Sequence, residues 1–227
     1  MPRAARYTPG GMVFHVLNRA NGRASLFSKA EDYRALLRVV SESLLLAPVR
    51  ILSYCVMPNH WHFVLWPEKD GQLPAFMHQM TNTHAKRWHE HHHTLGLGHV
   101  YQGPYKSVPV EGDDHFYVVC RYVERNAVRA NLVPRAEDWP WSSLALRLRP
   151  ADFVDAPPLT AWPLPMPTDW VDWVNQPLTE AELDSLRNCI RRGRPFGTTP
   201  WQETTARQLG LESTLRDRGR PGKRAVR

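Results

Sequence analysis

The segment Pro58-Asn59-His60-Trp61-His62-Phe63-Val64-Leu65 constrains this chain more than any other. It reads as a β-strand, and a strand sends alternate side chains to opposite faces. His60 and His62 therefore share one face, while Trp61, Phe63 and Leu65 cannot all share it with them. Two imidazoles about 7 Å apart along a strand can converge on one divalent ion. The same spacing also suits two unrelated histidines on the wet face of an antiparallel strand, so the rest of the chain must decide.

A second segment bears on that choice. From Asp114 to Leu132 the apolar residues Val118, Val119, Val123, Val128 and Leu132 fall at roughly helical spacing, with Asp113 or Asp114 as N-cap. Tyr122 and Asn126 lie one turn apart on one face of this helix, flanked by Arg125 and Arg129. A tyrosine hydroxyl beside an amide oxygen, ringed by arginines, suits work on a phosphate. A tyrosine half-buried on an amphipathic helix fits the same pattern.

Taken in order, the motifs resemble the single-tyrosine HUH transposases, in their REP-associated branch. Pro2-Arg3 through Pro9-Gly10, Phe14-His15-Val16 and Asn18-Arg19 resemble that family's first strand. Met57 to His62 resembles its HUH strand, Tyr122 to Asn126 with Val128-Arg129-Ala130 its tyrosine helix, and Trp139-Pro140-Trp141-Ser142-Ser143 the segment closing its catalytic domain. Ala127 stands where the family often has proline. The resemblance spans about residues 1–146 and implies that His60 and His62 are metal ligands, that Asn126 completes the metal site, and that Tyr122 is the nucleophile. It implies Mg2+ as the ion, with Mn2+ as a substitute, and a REP-type single-stranded DNA hairpin as the partner, processed by a monomer or a homodimer.

The reaction so implied is cleavage and rejoining of single-stranded DNA through a 5′-phosphotyrosine. A phenol keeps its proton at neutral pH, so it must lose it as it attacks. The covalent link stores the phosphodiester energy, and no Gly-x-x-x-x-Gly-Lys-Ser/Thr phosphate loop for ATP is present. The rival reading is a non-catalytic regulator that binds a DNA or RNA hairpin on the same fold. Rolling-circle or relaxase-type nickases often carry a second tyrosine, and Tyr117 lies on a different helix face from Tyr122.

The pattern of elements is β-α-β-β-α-β followed by an added helix. That is an α+β, ferredoxin-like split βαβ plan: an antiparallel sheet with helices on one face and the other face open for a ligand. Strands are expected at Val13–Asn18, Val49–Met57, His60–Trp66 and within Val100–Val110, with helices at Lys29–Leu46 and from Pro74 at N1 to about Trp88. The apolar run Ser43–Val49 is expected to be a buried helix end. The domain plan is a catalytic domain at 1–147, a Pro/Trp-rich linker at 148–178 packed by Trp162, Trp170 and Trp173, and a basic helical extension at 179–227. In the extension, Thr179-Glu180-Ala181-Glu182 is a capping box and Thr199-Pro200-Trp201-Gln202 a second, and residues 216–227 are expected to be disordered.

Charge supports a nucleic-acid partner. The chain carries +7 overall, yet residues 1–186 hold 18 basic and 19 acidic side chains, while residues 187–227 hold 11 and 3. The surplus thus lies in the C-terminal arm, where Arg-Gly-Arg-Pro occurs at 192–195 and 218–221. Arg192, Arg194, Arg218 and Arg220 are accordingly candidate DNA contacts, as are Arg19, Arg23, Lys106, Arg125, Arg129 and the Lys86-Arg87 pair. The tract His89-Glu90-His91-His92-His93 lacks His-Glu-x-x-His spacing and reads as the polar end of a helix. No run is long and apolar enough to span a bilayer. Cys55, Cys120 and Cys189 read as isolated thiols in a reducing compartment, which places the chain in the cytoplasm, associated with the nucleoid.

Overall fold

The computed structural model describes residues 7–216. Four strands, β1 (Val13–Arg19), β2 (Arg50–Met57), β3 (His60–Trp66) and β4 (Lys106–Val110), form one sheet in the order β2-β3-β1-β4. Every neighbouring pair is antiparallel, the split βαβ order that the sequence pattern predicts. The helices are α1 (Ala30–Leu46), α2 (Gln72–His92), α3 (Asp114–Glu124), α4 (Asn126–Arg129), α5 (Ser143–Leu148), α6 (Trp170–Asn175), α7 (Glu180–Arg192), α8 (Thr199–Leu209) and α9 (Glu212–Leu215).

The sheet separates two cores. Phe14 and Val16 of β1, with Trp61, Phe63 and Leu65 of β3, pack with Leu36, Leu37 and Val40 of α1 and with Phe76, Met77 and Met80 of α2. Each such side chain contributes roughly 1.5–3 kcal/mol by leaving water. A register shift between Ile51 and Ser53 lets Ile51 and Tyr54 both face this core. On the other side Val13, Leu52, Cys55, Val64 and Val108 meet Phe116, Val119 and Val123 of α3. The expected helix pair α1 and α2 therefore covers one face. The face expected to stand open is roofed by α3, because Phe116, Val119 and Val123 give that helix its own apolar stripe to bury.

Both sheet edges are occupied by later parts of the chain, which satisfies strand groups that would otherwise be unpaired. On the β2 side, the Val56 N–H donates to Trp141 O and the Thr160 N–H to Ile51 O, each at 2.9 Å. On the β4 side, the Phe196 N–H donates to Pro109 O at 2.8 Å and the Glu111 N–H to Phe196 O at 2.9 Å. Residues 148–178 pack on the second core through Trp162, Trp170 and Trp173, and 170–175 within them are helical.

Several local expectations are corrected. The helix expected over 114–132 breaks at Arg125, whose ψ is 0°, and ends at Arg129. Pro74 is the third residue of α2, still within the turn whose N–H groups lack helical partners. The Thr179/Glu182 capping box forms, whereas α8 is capped one residue early at Thr198, with no cap bond from its side chain. That hydroxyl and its N–H both donate to Glu111. Leu45 and Leu46 are exposed, so the end of α1 is not buried. The three cysteines are buried and free. Arg218, Arg220 and the expected disorder beyond 216 lie outside the described residues.

Candidate active site

Strand alternation puts His60 and His62 on the α3 side of β3, opposite Arg19 and Leu17 of β1. His60 is half-buried and His62 buried. Each has its Nδ1 engaged. Nδ1 of His60 is 2.7 Å from Asn59 Oδ1, and Nδ1 of His62 is 2.9 Å from Nε2 of His15. The ring nitrogen left to each for a ligand is Nε2. Burial, reinforced by Arg19 and then Arg129, pushes His60 down to about 4. Burial first, then His15, His60, Arg129 and Arg19, hold His62 well below the usual imidazole range. Both rings are therefore neutral at pH 7, the state in which imidazole donates to a metal.

α3 brings Tyr122 to these rings. Its ring stands edge-on to His62 at 5.7 Å between centres and to His15 at 5.9 Å. Arg129 lies over the Tyr122 ring, with its guanidinium carbon 4.2 Å from the centre, and donates to Asn126 Oδ1 at 3.0 Å. Asn126 Nδ2 is buried without a partner among the described residues. A cavity of about 120 Å³ adjoins the tyrosine, lined by Arg125, Arg129, Pro177, Leu178 and Leu183. Tyr122 is only 7% exposed. The structure thus gathers His60, His62, Tyr122, Asn126, Arg125 and Arg129 in one place, with Arg19 across the sheet from His60.

The other nominated cations are dispersed. Lys106 is exposed on β4, Arg23 is exposed in the turn after β1, and Arg87 pairs with Glu42. Arg192 donates from Nε to Thr214 O at 2.7 Å and Arg194 to Gln202 Oε1 at 2.6 Å, so both tie the extension together. Arg187 and Arg191, not singled out in the sequence, line an open groove of about 1060 Å³ with Arg192, Ser213 and Thr214.

Two residues of this region escaped sequence reasoning. His15 is fully buried beside His62 and Tyr122, and only its partner 47 residues away reveals it. Glu124 is fully buried and accepts from Ser53 Oγ, Ser143 Oγ and Trp170 Nε1. It sits two residues from Tyr122 and anchors α3 to β2, α5 and α6. Burial raises its pKa, against the lowering effects of Arg147 and the three donors.

Among the described residues, two groups of histidine and carboxylate side chains lie close enough to hold a divalent ion: Glu111, Asp113 and His115, and Asp32, His91 and His92. Their carboxylates already have structural tasks. Glu111 accepts from Thr198, Asp113 caps α3, and Asp32 accepts from the N–H groups of Ser28 and Lys29. His84, upstream in the histidine-rich helix, accepts from or donates to the Tyr101 hydroxyl at 2.7 Å inside the first core.

Comparison with known proteins decides the family. The family model "Transposase IS200 like" matches residues 10–126, just over half of the chain. The chain belongs to the IS200-like transposase family. Its members' DNA-processing role is therefore the frame for this site. A solved structure of a REP-associated tyrosine transposase bound to a REP hairpin shares the fold, with 20% identity, a TM-score of 0.50, and coverage of 72% of this chain and 96% of that one. A structure from Deinococcus radiodurans R1, named only provisionally as a transposase, is 14% identical with a TM-score of 0.38, covering 58% of this chain and 98% of that one. No curated protein sequence matches. Among the described residues no helix is long and apolar enough to cross a membrane.

Proposed function

We propose that this transposase cleaves and rejoins single-stranded DNA at REP-type hairpins, with Tyr122 as nucleophile and His60, His62 and Asn126 as holders of a divalent ion. The observation that carries the reading is the meeting of Tyr122 with His62 at 5.7 Å under the guanidinium of Arg129. The donor set fits a weakly held, exchangeable cation: two neutral imidazoles offering Nε2 and one amide oxygen. When bound, Mg2+ or Mn2+ would polarise the scissile phosphate as a Lewis acid.

The chain's own groups account for the rest. The Tyr122 oxygen forms a bond to phosphorus while the bond from phosphorus to the 3′ oxygen breaks. The phenolic proton is given up, the 3′ oxygen takes one, and a 5′-phosphotyrosine and a free 3′-OH result. Arg125 and Arg129 neutralise charge on the phosphoryl oxygens. Reversal with a second 3′-OH rejoins a strand without ATP. Tyr122, Arg125 and Arg129 line the same cavity of about 120 Å³, bounded also by Pro177, Leu178, Glu180 and Leu183, and this is where a phosphate would meet them.

A second reading, a hairpin-binding regulator without chemistry, is favoured by the burial of Tyr122 and by the bond that Arg129 makes to Asn126 Oδ1. The deciding experiment incubates labelled single-stranded hairpin DNA, drawn from repeats beside the gene, with Mn2+ or Mg2+ and compares wild type with Tyr122→Phe on denaturing gels. A slow-migrating covalent adduct that is lost with phenylalanine and with chelator is the expected result. Equal binding by both proteins with no adduct would establish the regulator instead, and strand scission without an adduct would mean hydrolysis.

A further inference from the structure

We infer that His15 is a positioning residue for the metal site, acting as the hydrogen-bond acceptor that fixes the ring and tautomer of His62. This rests on the reading of His62 as a ligand.

The geometry is that of an in-plane bond between two imidazoles. The rings are inclined by only 20°, their centres are 5.1 Å apart, and Nε2 of His15 is 2.9 Å from Nδ1 of His62. Rings stacked face to face would not bring two edge nitrogens so close at that separation of centres. His15 reaches this position because β1 and β3 are adjacent and antiparallel. It pairs with Val64, making it the diagonal neighbour of His62 on the same sheet face.

The chemistry follows from the lone pairs. A metal takes the lone pair of a neutral imidazole nitrogen, and only Nε2 of His62 is left to offer one. The His62 proton must then sit on Nδ1 and be donated to Nε2 of His15. His15 therefore carries its own proton on Nδ1. That atom is buried and has no partner among the described residues. An unpaired polar atom in the interior costs stability, so a methionine of similar bulk would serve the core better. Asn59 performs the same office for His60, at 2.7 Å. Outer partners of this kind typically hold about 10–100-fold of metal affinity.

The test is Mn2+ binding to the full chain, by electron paramagnetic resonance of free Mn2+, together with thermal unfolding in chelator. Wild type, His62→Ala, His15→Met and His15→Gln are compared, and only binding lost in His62→Ala is counted, which removes the histidine-rich tract from the measurement. His15→Met should lose about 10–100-fold in affinity with an equal or higher melting temperature. His15→Gln, whose side-chain oxygen can accept from Nδ1 of His62, should stay within a few fold of wild type. Unchanged affinity in His15→Met overturns the inference and leaves the metal site standing. A melting temperature that falls together with affinity in both variants overturns it in favour of a purely structural role. Absence of His62-dependent binding in wild type overturns the metal reading itself.

Discussion

Arg129 covers the ring of Tyr122 at 4.2 Å and, from the same guanidinium, holds Asn126 Oδ1 at 3.0 Å. One cation thus restrains both the proposed nucleophile and the oxygen proposed as third metal ligand. Arg129→Ala should release that oxygen and leave Mn2+ affinity equal or higher. It should lower adduct formation at least tenfold, through loss of a phosphate contact, and cost about 0.5–2 kcal/mol of stability. Arg129→Lys should not restore activity, because an ammonium cannot stack and fork at once. Adduct formation at the wild-type rate in Arg129→Ala would remove Arg129 from the chemistry.

Glu124 predicts a stability effect that reaches the site. Its two oxygens take three donors, from Ser53, Ser143 and Trp170. Glu124→Gln turns an NH2 group toward at least one of them and should cost about 1–3 kcal/mol. Glu124→Ala leaves Trp170 Nε1 unpaired and Arg147 without its carboxylate, while Ser53 and Ser143 keep each other and Tyr54 O, and should cost about 3–5 kcal/mol. Urea denaturation of each variant measures this. If either variant matched wild type, the network would not be what holds α3 in place.

The buried histidines make the fold acid-sensitive. Burial, with Arg129 second, pushes His15 down to about 3, and His60 is at about 4. Unfolded histidine titrates near 6.5, so between about pH 6.5 and 4 the unfolded chain binds protons that the folded chain refuses. Stability is therefore fully present above about pH 6.5 and falls with pH below it, by at most about 1.4 kcal/mol per unit for each such group. Glu124, raised by burial, works in the opposite direction over the carboxylate range. Thermal unfolding from pH 8 to pH 5 should show the decline, with a shallower slope in His15→Met. A profile flat to pH 5 would mean these rings are solvated in solution.

The parts of this design that the sequence carries openly are those set by short-range periodicity. Alternation around His60 and His62 fixes which face they share, and the apolar stripe of α1 fixes its burial. Tyr122 and Asn126 stay linked across the break at Arg125, because Arg129 reaches both, over the ring of one and to Oδ1 of the other. What the sequence hides is long-range. A lone histidine in β1 looks like any half-buried strand residue until β3 is laid beside it. Glu124 looks like a surface charge until Ser53, 71 positions earlier, and Trp170, 46 positions later, close around it. The roofing of the second sheet face by α3 likewise depends on how two amphipathic surfaces meet, which no local pattern encodes.

The same distinction sorts the arginines of the C-terminal extension. Arg192 and Arg194 stand in a suggestive Arg-Gly-Arg-Pro repeat, but their guanidinium groups are tied to Thr214 and Gln202. Arg187 and Arg191 are exposed, one turn apart on α7, and face the open groove. A backbone phosphate contact adds affinity without sequence choice and steepens the salt dependence of binding. Arg187→Ala and Arg191→Ala should therefore each weaken hairpin and non-hairpin single strands alike and reduce the slope of log affinity against log salt by about 0.7. Arg194→Ala should leave that slope unchanged and lower the melting temperature. Fluorescence anisotropy across a salt series measures all three. A reduced slope in Arg194→Ala, with none in the α7 variants, would return the DNA contact to the repeat and leave the groove a solvated surface.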